Sequence, residues 1–416
     1  MDDNSLKFID LFSGCGGLSL GLEKAGFKPV LYSELNQSAA DSYQVNRKDQ
    51  VPCISDVYKI KHEDVQKYVG IDLVCGGPPC QGYSGIGIRR THKVDKDRIT
   101  KNILFLEMIR VINLVKPRIF LFENVKGILT GKWNASGKKG QIFEDVLGAF
   151  QEKLGKNYYI RWDKLKSSLY GIPQSRPRVF IVGIHKSIEA ALTINNATRS
   201  DKEVMGKGFA LEDNFLPKPT EQMIAPGLEE LLSDLVDQNY MKNGFKTKEY
   251  LVDPQNKWQE EMRVKKDSPN DYMKIGETIT EQEYSRHKPR TIEKFKYMLA
   301  HNGKILEKYK TKKFSQRLLR PKWDEKGPSI TVTSLPDDYV HYSQPRILTV
   351  REWARIQTFP DWYMFEGIRT TGGARRSGMP NSTADQIETP KYTQIGNAVP
   401  VKLANLIGEH LKYFLQ

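Results

Sequence analysis

Cys80 stands in Pro78-Pro79-Cys80-Gln81-Gly82, directly after the apolar run 71–75 and the Gly76-Gly77 pair, where a strand gives way to a loop. The thiolate is the reactive form of cysteine, and a mouth built from backbone amides and basic side chains favours it. Cys80 is therefore the candidate nucleophile. Glu123-Asn124-Val125 closes another apolar run, which sets a carboxyl group at the carboxyl edge of an open α/β sheet, where such folds bind ligands. A buried structural carboxylate paired with Lys or Arg is the alternative for Glu123. In Gln174-Ser175-Arg176-Pro177-Arg178 two guanidiniums enter a strand at alternate positions, hence on one face. Surface ion pairing is the plainer reading of that pair.

A second constellation lies at the start of the chain. Asp10-Leu11-Phe12-Ser13-Gly14-Cys15-Gly16-Gly17-Leu18, with Gly21 beyond it, runs from a strand into a helix. Glycines at that point let a backbone turn approach a cofactor at a helix N-terminus. Glu34 follows the next strand about 20 residues later, where an acidic side chain can take ribose hydroxyls. Both a dinucleotide and a nucleoside cofactor fit this pattern. Asp56, in Ser55-Asp56-Val57, either closes the adenine side of such a site or simply caps a turn.

The elements that must hold these residues are legible as alternating short apolar runs and helix-length segments over the first 185 residues. Strands are predicted at 8–12, 29–33, 71–75, 119–123 and 179–183, and helices at 17–25, 37–46, 103–115 and 142–154. This is the pattern of a doubly wound, mostly parallel sheet. Further helices are expected at 350–358 and 400–414, the last packing back on the sheet.

Composition narrows the partners. The 416 residues carry a formal net charge of +14 and a pI near 9.3, which favours an anionic partner. Mean hydropathy of -0.55 and the lack of a bilayer-length apolar run argue against a membrane, and the acidic start Met1-Asp2-Asp3-Asn4 lacks a secretory pattern, so a cytoplasmic protein is expected. Cys15, Cys53, Cys75 and Cys80 all fall in the first 80 residues with no histidine pair at zinc-ligand spacing, so neither a disulfide framework nor a metal site is indicated. The basicity is concentrated: 201–283 holds 11 Lys or Arg against 18 Asp or Glu, net -7, whereas 286–322 holds 13 against 2, net +11. Phe295, Tyr297, Tyr309 and Phe314 interleave with those cations, as phosphate-binding and base-stacking surfaces require. A solvated amphipathic helix pair is the alternative.

Taken in order, Asp-Leu-Phe-x-Gly-x-Gly-Gly, Gly-Pro-Pro-Cys-Gln-Gly, Glu-Asn-Val, Gln-x-Arg-x-Arg, then Arg346-Ile347-Leu348-Thr349-Val350-Arg351-Glu352 and Gln394-Ile395-Gly396-Asn397-Ala398-Val399 resemble the motifs of the DNA (cytosine-5)-methyltransferase family, of the bacterial restriction-modification type. The matches cover 8–183 and 346–407. The resemblance implies a Rossmann-like, S-adenosylmethionine-dependent catalytic domain (1–184 plus 391–416), an inserted smaller target recognition domain (185–345) and a hinge and linker (346–390). It implies that Cys80 adds to C6 of a flipped-out cytosine, with Glu123 acting at N3, Arg178 at O2, and Arg176 bracing the site or a phosphate.

The same resemblance assigns the S-adenosylmethionine pocket to Phe12, Gly14, Gly16, Gly17, Glu34, Leu35, Asp56, Val57, Pro79, Leu104, Asn397 and Ala398. Leu35 stands where many members have an aromatic, so apolar contact replaces adenine stacking. Double-stranded DNA is the implied partner, reached by Gln81, Ser84, Arg89, Arg90, Arg286, Arg290, Lys312, Lys313, Arg317 and Arg320. A lid is expected over 81–100 and a further DNA contact from the Gly-rich stretch 367–382. A monomer is expected, with a cognate restriction endonuclease acting on the same site and no physical contact between the two. An RNA cytosine methyltransferase, a catalytically silent DNA-binding regulator on the same fold and a nicotinamide oxidoreductase are the competing readings.

Overall fold

The structure is a computed structural model that describes residues 5–79, 103–133, 136–188, 215–310, 315–322, 328, 338–370 and 388–416. Its centre is a six-stranded sheet of β1 (Leu6–Leu11), β2 (Phe27–Ser33), β3 (Leu73–Gly76), β4 (Ile119–Val125), β5 (Tyr158–Lys166) and β6 (Pro177–His185), in the order β2-β1-β3-β4-β6-β5. The first four are parallel, and β6 runs antiparallel between β4 and β5.

Side chains alternate between two apolar layers with the period of two that strands impose. Phe8, Leu73, Cys75, Ile119, Leu121, Phe180 and Val182 join one cluster, and Ile9, Leu11, Val74, Phe120, Phe122, Val179 and Ile181 the other. Strands covered on both faces read as unbroken apolar runs, which is why the sequence betrays them. Helices α1 (Gly17–Lys24) and, from the chain's end, Val401–Lys412 cover the first layer; α2 (Gln37–Val45) lies beyond β2, while α3 (Leu104–Val115) and α4 (Gln141–Leu154) cover the second layer.

The edge strand β5 is absent from the predicted elements. Tyr158-Tyr159-Ile160-Arg161-Trp162-Asp163-Lys164-Leu165-Lys166 is half-buried along most of its length, so it lacks the apolar run that marks its neighbours.

The segment after β6 contributes α5 (Leu228–Leu232), α6 (Lys257–Arg263), α7 (Pro289–Ala300) and short ribbons. It is followed by α8 (Val350–Ile356), α9 (Lys391–Asn397) and α10 (Val401–Lys412). One apolar cluster joins Leu228, Leu232, Tyr250, Met262 and Ile279 to Trp353, Phe359, Tyr392 and Ile395, and reaches Cys15 and Leu20 of the first motif. Phe295 corrects one expectation: its ring is 0% exposed among Met298, Val340 and Ile347, so it is core rather than a stacking surface.

Candidate functional site

Leu11, Gly76 and Phe122 are level in the ladder, so β1 and β3 end together while β4 runs three residues further beside β6. The chain leaves β1 towards β2 on one side, and β3 lies on the other. That reversal is the crevice where doubly wound sheets hold ligands.

At the β4–β6 end, Glu123 and Arg178 share a face and pair, with Arg178 Nε 2.7 Å from Glu123 Oε1. Both are buried. A Cβ on Gly77 would stand 2.8 Å from Glu123 Oε2, so the segment that leads from β3 to Cys80 passes close to this carboxyl group. Asn124 Nδ2 donates to Pro78 O at 3.2 Å and fixes the same approach from the β4 side. Burial pushes the Glu123 carboxyl up, against the pull of Arg178 and then Arg176. A carboxyl group held towards its acid form beside a guanidinium can give a proton to a ring nitrogen while the guanidinium binds a carbonyl oxygen.

Arg176 lies elsewhere. It is 1% exposed, beyond reach of a phosphate, and its Nη2 donates to the carbonyls of Gly396 and Asn397.

At the β1 end, the turn after Leu11 reverses through left-handed backbone at Phe12 (φ 59°), Gly14 (φ 56°) and Gly16 (φ 85°). A phenylalanine in that region carries about 1–3 kcal/mol of strain. A Cβ on Gly14 would meet nothing within 4 Å, whereas one on Gly17 would lie 2.6 Å from Val399 O and one on Gly21 2.3 Å from Ala404 Cβ. The bare face of Gly14 therefore opens on the crevice, while Gly17 lies against the turn 398–399 and Gly21 seats α1 against α10. Both Glu34 oxygens accept backbone amides at 2.8 Å, from Gly14 and from Asn36. Each keeps a lone pair for a ribose hydroxyl.

Leu35 next to it is 62% exposed, an apolar side chain with its face free. Asp56 does cap a turn, accepting from Tyr58 N at 3.1 Å. Its neighbour Val57 is buried, and the Val57 and Ile60 carbonyls are held by Arg110 of α3 at 2.9 and 2.8 Å. Phe12 and Leu104 pack half-buried on one apolar cluster, and Pro79 and Asn397 are exposed while Ala398 is half-buried. Open backbone, an anchored carboxylate and a free apolar face fit a nucleoside cofactor such as S-adenosylmethionine.

Asp10, behind this turn, is 1% exposed and accepts from Ser19 Oγ at 2.5 Å. Burial raises its carboxyl from 3.8 to about 7. The folded state therefore holds a proton that the unfolded chain has released, and stability falls as pH rises from about 4 to 7. Asp10→Asn removes that loss, so its stability relative to wild type should grow across this window by up to about 4 kcal/mol. Urea unfolding at pH 5 and pH 8 measures it.

In the middle segment Arg286, Arg290, Arg317 and Arg320 are exposed. Arg286 lies 5.2 Å from the Phe245 ring, Arg290 5.8 Å from Tyr309, and Arg317 4.2 Å from Tyr339. These ring contacts pre-shape the cations, and Arg317 Nη2 also lies 3.7 Å from Asp338 Oδ2. Cys80, Gln81, Ser84, Arg89, Arg90, the rest of the expected lid 81–100, Lys312, Lys313 and most of the stretch 367–382 lie outside the described residues.

Sequence reading gave no role to Gln174, Gln357 and Gln394. Gln174 Nε2 donates to Gln357 Oε1 at 2.5 Å, and Gln394 accepts from Ser42 Oγ at 2.6 Å while donating to Glu366 O and Thr389 O at 2.8 and 2.9 Å. For Gln174 and Gln394 the motif position was the available signal, whereas Gln357 stands outside the quoted motifs.

No helix among the described residues is long and apolar enough to cross a membrane. Comparison with known proteins places this geometry. The chain is 30% identical to the Type II methyltransferase M.DdeI of Desulfomicrobium norvegicum over 99% of its own length and 89% of that protein. It is 29% identical to the Type II methyltransferase M.Eco47II of Escherichia coli, over 100% of this chain and 81% of the relative. A prophage-encoded protein of E. coli, described as a candidate DNA modification methyltransferase, shares the fold with a TM-score of 0.66 at 24% identity, each chain covered to 99%. The family model for C-5 cytosine-specific DNA methylases matches residues 6–413, and the chain belongs to that family.

Proposed function

We propose that this C-5 cytosine methylase acts on a cytosine turned out of duplex DNA, with Cys80 as nucleophile, Glu123 as the acid at N3 and Arg178 as the contact to O2. The observation that carries the reading is the buried Glu123–Arg178 pair, packed against Gly77 on the strand end that leads to Cys80. Cytosine C5 is a weak nucleophile. A thiolate bond at C6 pushes electron density towards C5, and the charge that reaches N3 is met by the Glu123 proton. C6 is covered in a stacked duplex, so the base must leave the helix to meet these groups.

S-adenosylmethionine, the family's donor, supplies the methyl group. Phe12, Gly14, Gly16, Gly17, Glu34, Leu35, Asp56, Val57, Pro79, Leu104, Asn397 and Ala398 are the residues assigned to hold it. Once C5 carries the methyl group, loss of its proton and elimination free Cys80.

Residues 1–184 with 391–416 form the catalytic part in this reading, 185–345 recognise the target sequence, and 346–390 link the two. Arg286, Arg290, Arg317 and Arg320, exposed in the net +11 stretch, supply phosphate or base contacts, together with Gln81, Ser84, Arg89, Arg90, Lys312 and Lys313. The relatives' designation as Type II methyltransferases supports a modification enzyme of a restriction-modification system. A cognate endonuclease of the same specificity, action as a monomer and a cytoplasmic location belong to the same proposal.

Base-resolution 5-methylcytosine sequencing of unmethylated plasmid, after incubation with protein and S-adenosylmethionine, tests this. Methylation confined to one short sequence is expected; folded protein that binds cofactor yet methylates no DNA cytosine would overturn it. In the same assay Glu123→Gln, which keeps a donor but has no acidic proton, should lower kcat by about 10²-fold or more with DNA affinity nearly unchanged. Its residual rate should not share the wild type's decline as rising pH deprotonates Glu123.

A further inference from the structure

Helix α9 ends at Asn397, where the last carbonyls of a helix have no amide of a following turn to receive. Four consecutive ones are taken by side chains from distant parts of the chain. Gln357 Nε2 donates to Ile395 O at 2.7 Å and to Ala398 O at 3.1 Å. Arg176 Nη2 donates to Gly396 O and, at 3.4 Å, to Asn397 O. The Gln357 oxygen is in turn held by Gln174 Nε2 at 2.5 Å, so both clamps trace back to the loop that opens β6. Gln174 and Gln357 are 0% exposed and Arg176 1%, so water does not compete for these bonds. A cation at a helix C-terminus is also favoured by the helix dipole.

The two ends of this link differ in purpose. Asn397 and Ala398 lie on the side assigned to the cofactor, whereas Arg178, two residues beyond Arg176, is paired with Glu123 in the pocket assigned to the base. Buried hydrogen bonds of this kind transmit a displacement because leaving a carbonyl or guanidinium unpaired is costly. A ligand that settles the turn 396–398 therefore settles Arg176, and through it the strand end that carries Arg178.

We propose that Arg176, with the Gln174–Gln357 amide pair, is a positioning link through which occupancy of the cofactor pocket and occupancy of the base pocket strengthen each other. The inference rests on the pocket assignments of the preceding section. Linkage requires the effect to be reciprocal: whatever factor DNA adds to cofactor affinity, cofactor adds to DNA affinity.

The test is calorimetric titration of the full-length protein with S-adenosylhomocysteine, alone and in the presence of a saturating duplex that carries the sequence found methylated. In wild type the ratio of the two dissociation constants should be about 10 or more, within the usual range of such effects. Arg176→Gln should bring it to within about twofold of one, and Arg176→Lys, which keeps a donor and the charge, should restore part of it. Gln357→Met breaks the second clamp without touching a charge and should also lower the ratio; it decides alone if Arg176→Gln does not fold.

A purely architectural role would lower melting temperature and both affinities together and leave the ratio unchanged. A wild-type ratio of one, or variants that keep the wild-type ratio, would overturn the link. Absence of any DNA methylation by wild type would instead overturn the functional reading, before a ratio is measured.

Discussion

Cys80→Ser is expected to reduce turnover by at least about 10⁴-fold and to abolish the covalent adduct formed on DNA containing 5-fluorocytosine. The fluorine at C5 cannot leave as the proton does, so the enzyme remains bonded at C6 and the complex survives denaturing electrophoresis. Serine offers a hydroxyl far less acidic than a thiol, and no neighbouring histidine base is supplied by the motif around it. The other cysteines cannot take over. Cys15 and Cys75 are 2% and 0% exposed, and burial drives the Cys15 thiol up to about 12 and the Cys75 thiol well above its ordinary value. Cys53 is exposed, but it pairs with Tyr32 of β2, on the far side of the sheet from β4. An adduct that persists in Cys80→Ser would move the nucleophile to another residue; DNA affinity that collapses with it would mean that the substitution had damaged the fold.

What the sequence made legible follows from where each residue's partners sit. Strands buried on both faces announce themselves as apolar runs, so β1, β2, β3, β4 and β6 were found with their ends within two residues. The half-wet β5 was not, because its stability comes from pairing with β6 rather than from its own pattern. The site behaved the same way. Glu123 and the Arg176/Arg178 pair were visible from type and spacing, since alternate residues of a strand share a face.

That Arg178 takes the carboxylate while Arg176 turns to carbonyls 220 and 221 positions away could not be read, because those partners are brought in only by the packing of α9. Glycine posed a similar ambiguity. Gly14, Gly17 and Gly21 look alike in a Gly-rich turn, yet one faces open space, one lies against the turn 398–399 and one under another helix. Phe295 among its lysines and arginines reads as a stacking ring until α7 turns that face inward.

Arg355→Met should cost about 3–5 kcal/mol of folding stability, the usual consequence of removing one partner from a buried ionic cluster. Arg355 is 0% exposed and holds two carboxylates at once, Asp234 through Nη1 at 2.6 Å and Asp361 through Nη2 at 2.6 Å. Arg263 Nη2 takes the second Asp234 oxygen at 2.6 Å, and Tyr250 OH donates to Asp361 at 2.7 Å. Arg351 Nε, also buried, lies 3.9 Å from Asp361 Oδ1, so three guanidiniums face the two carboxylates. Burial alone would raise the Asp361 carboxyl, but Arg355, together with Arg351 and the Tyr250 hydroxyl, holds the group below its ordinary value.

Its contribution is therefore present at neutral pH and is lost as pH falls through that lowered value. With methionine at 355 the Asp361 carboxyl loses its nearer counter-charge and keeps only Arg351 at 3.9 Å, so the variant's deficit should be largest near neutrality and shrink in acid. The double variant Arg355→Met/Asp361→Asn should be more stable than the two single effects added together, because the second change removes a charge that the first had stranded. Urea unfolding of the four proteins at pH 7 gives that comparison; strict additivity would mean that Arg355 and Asp361 act independently. The cluster joins α5 and α6 of the middle segment to α8, one residue ahead of Gln357. Its loss should therefore also slacken the clamp on the turn 396–398, and cofactor affinity should fall in the variants that lose stability.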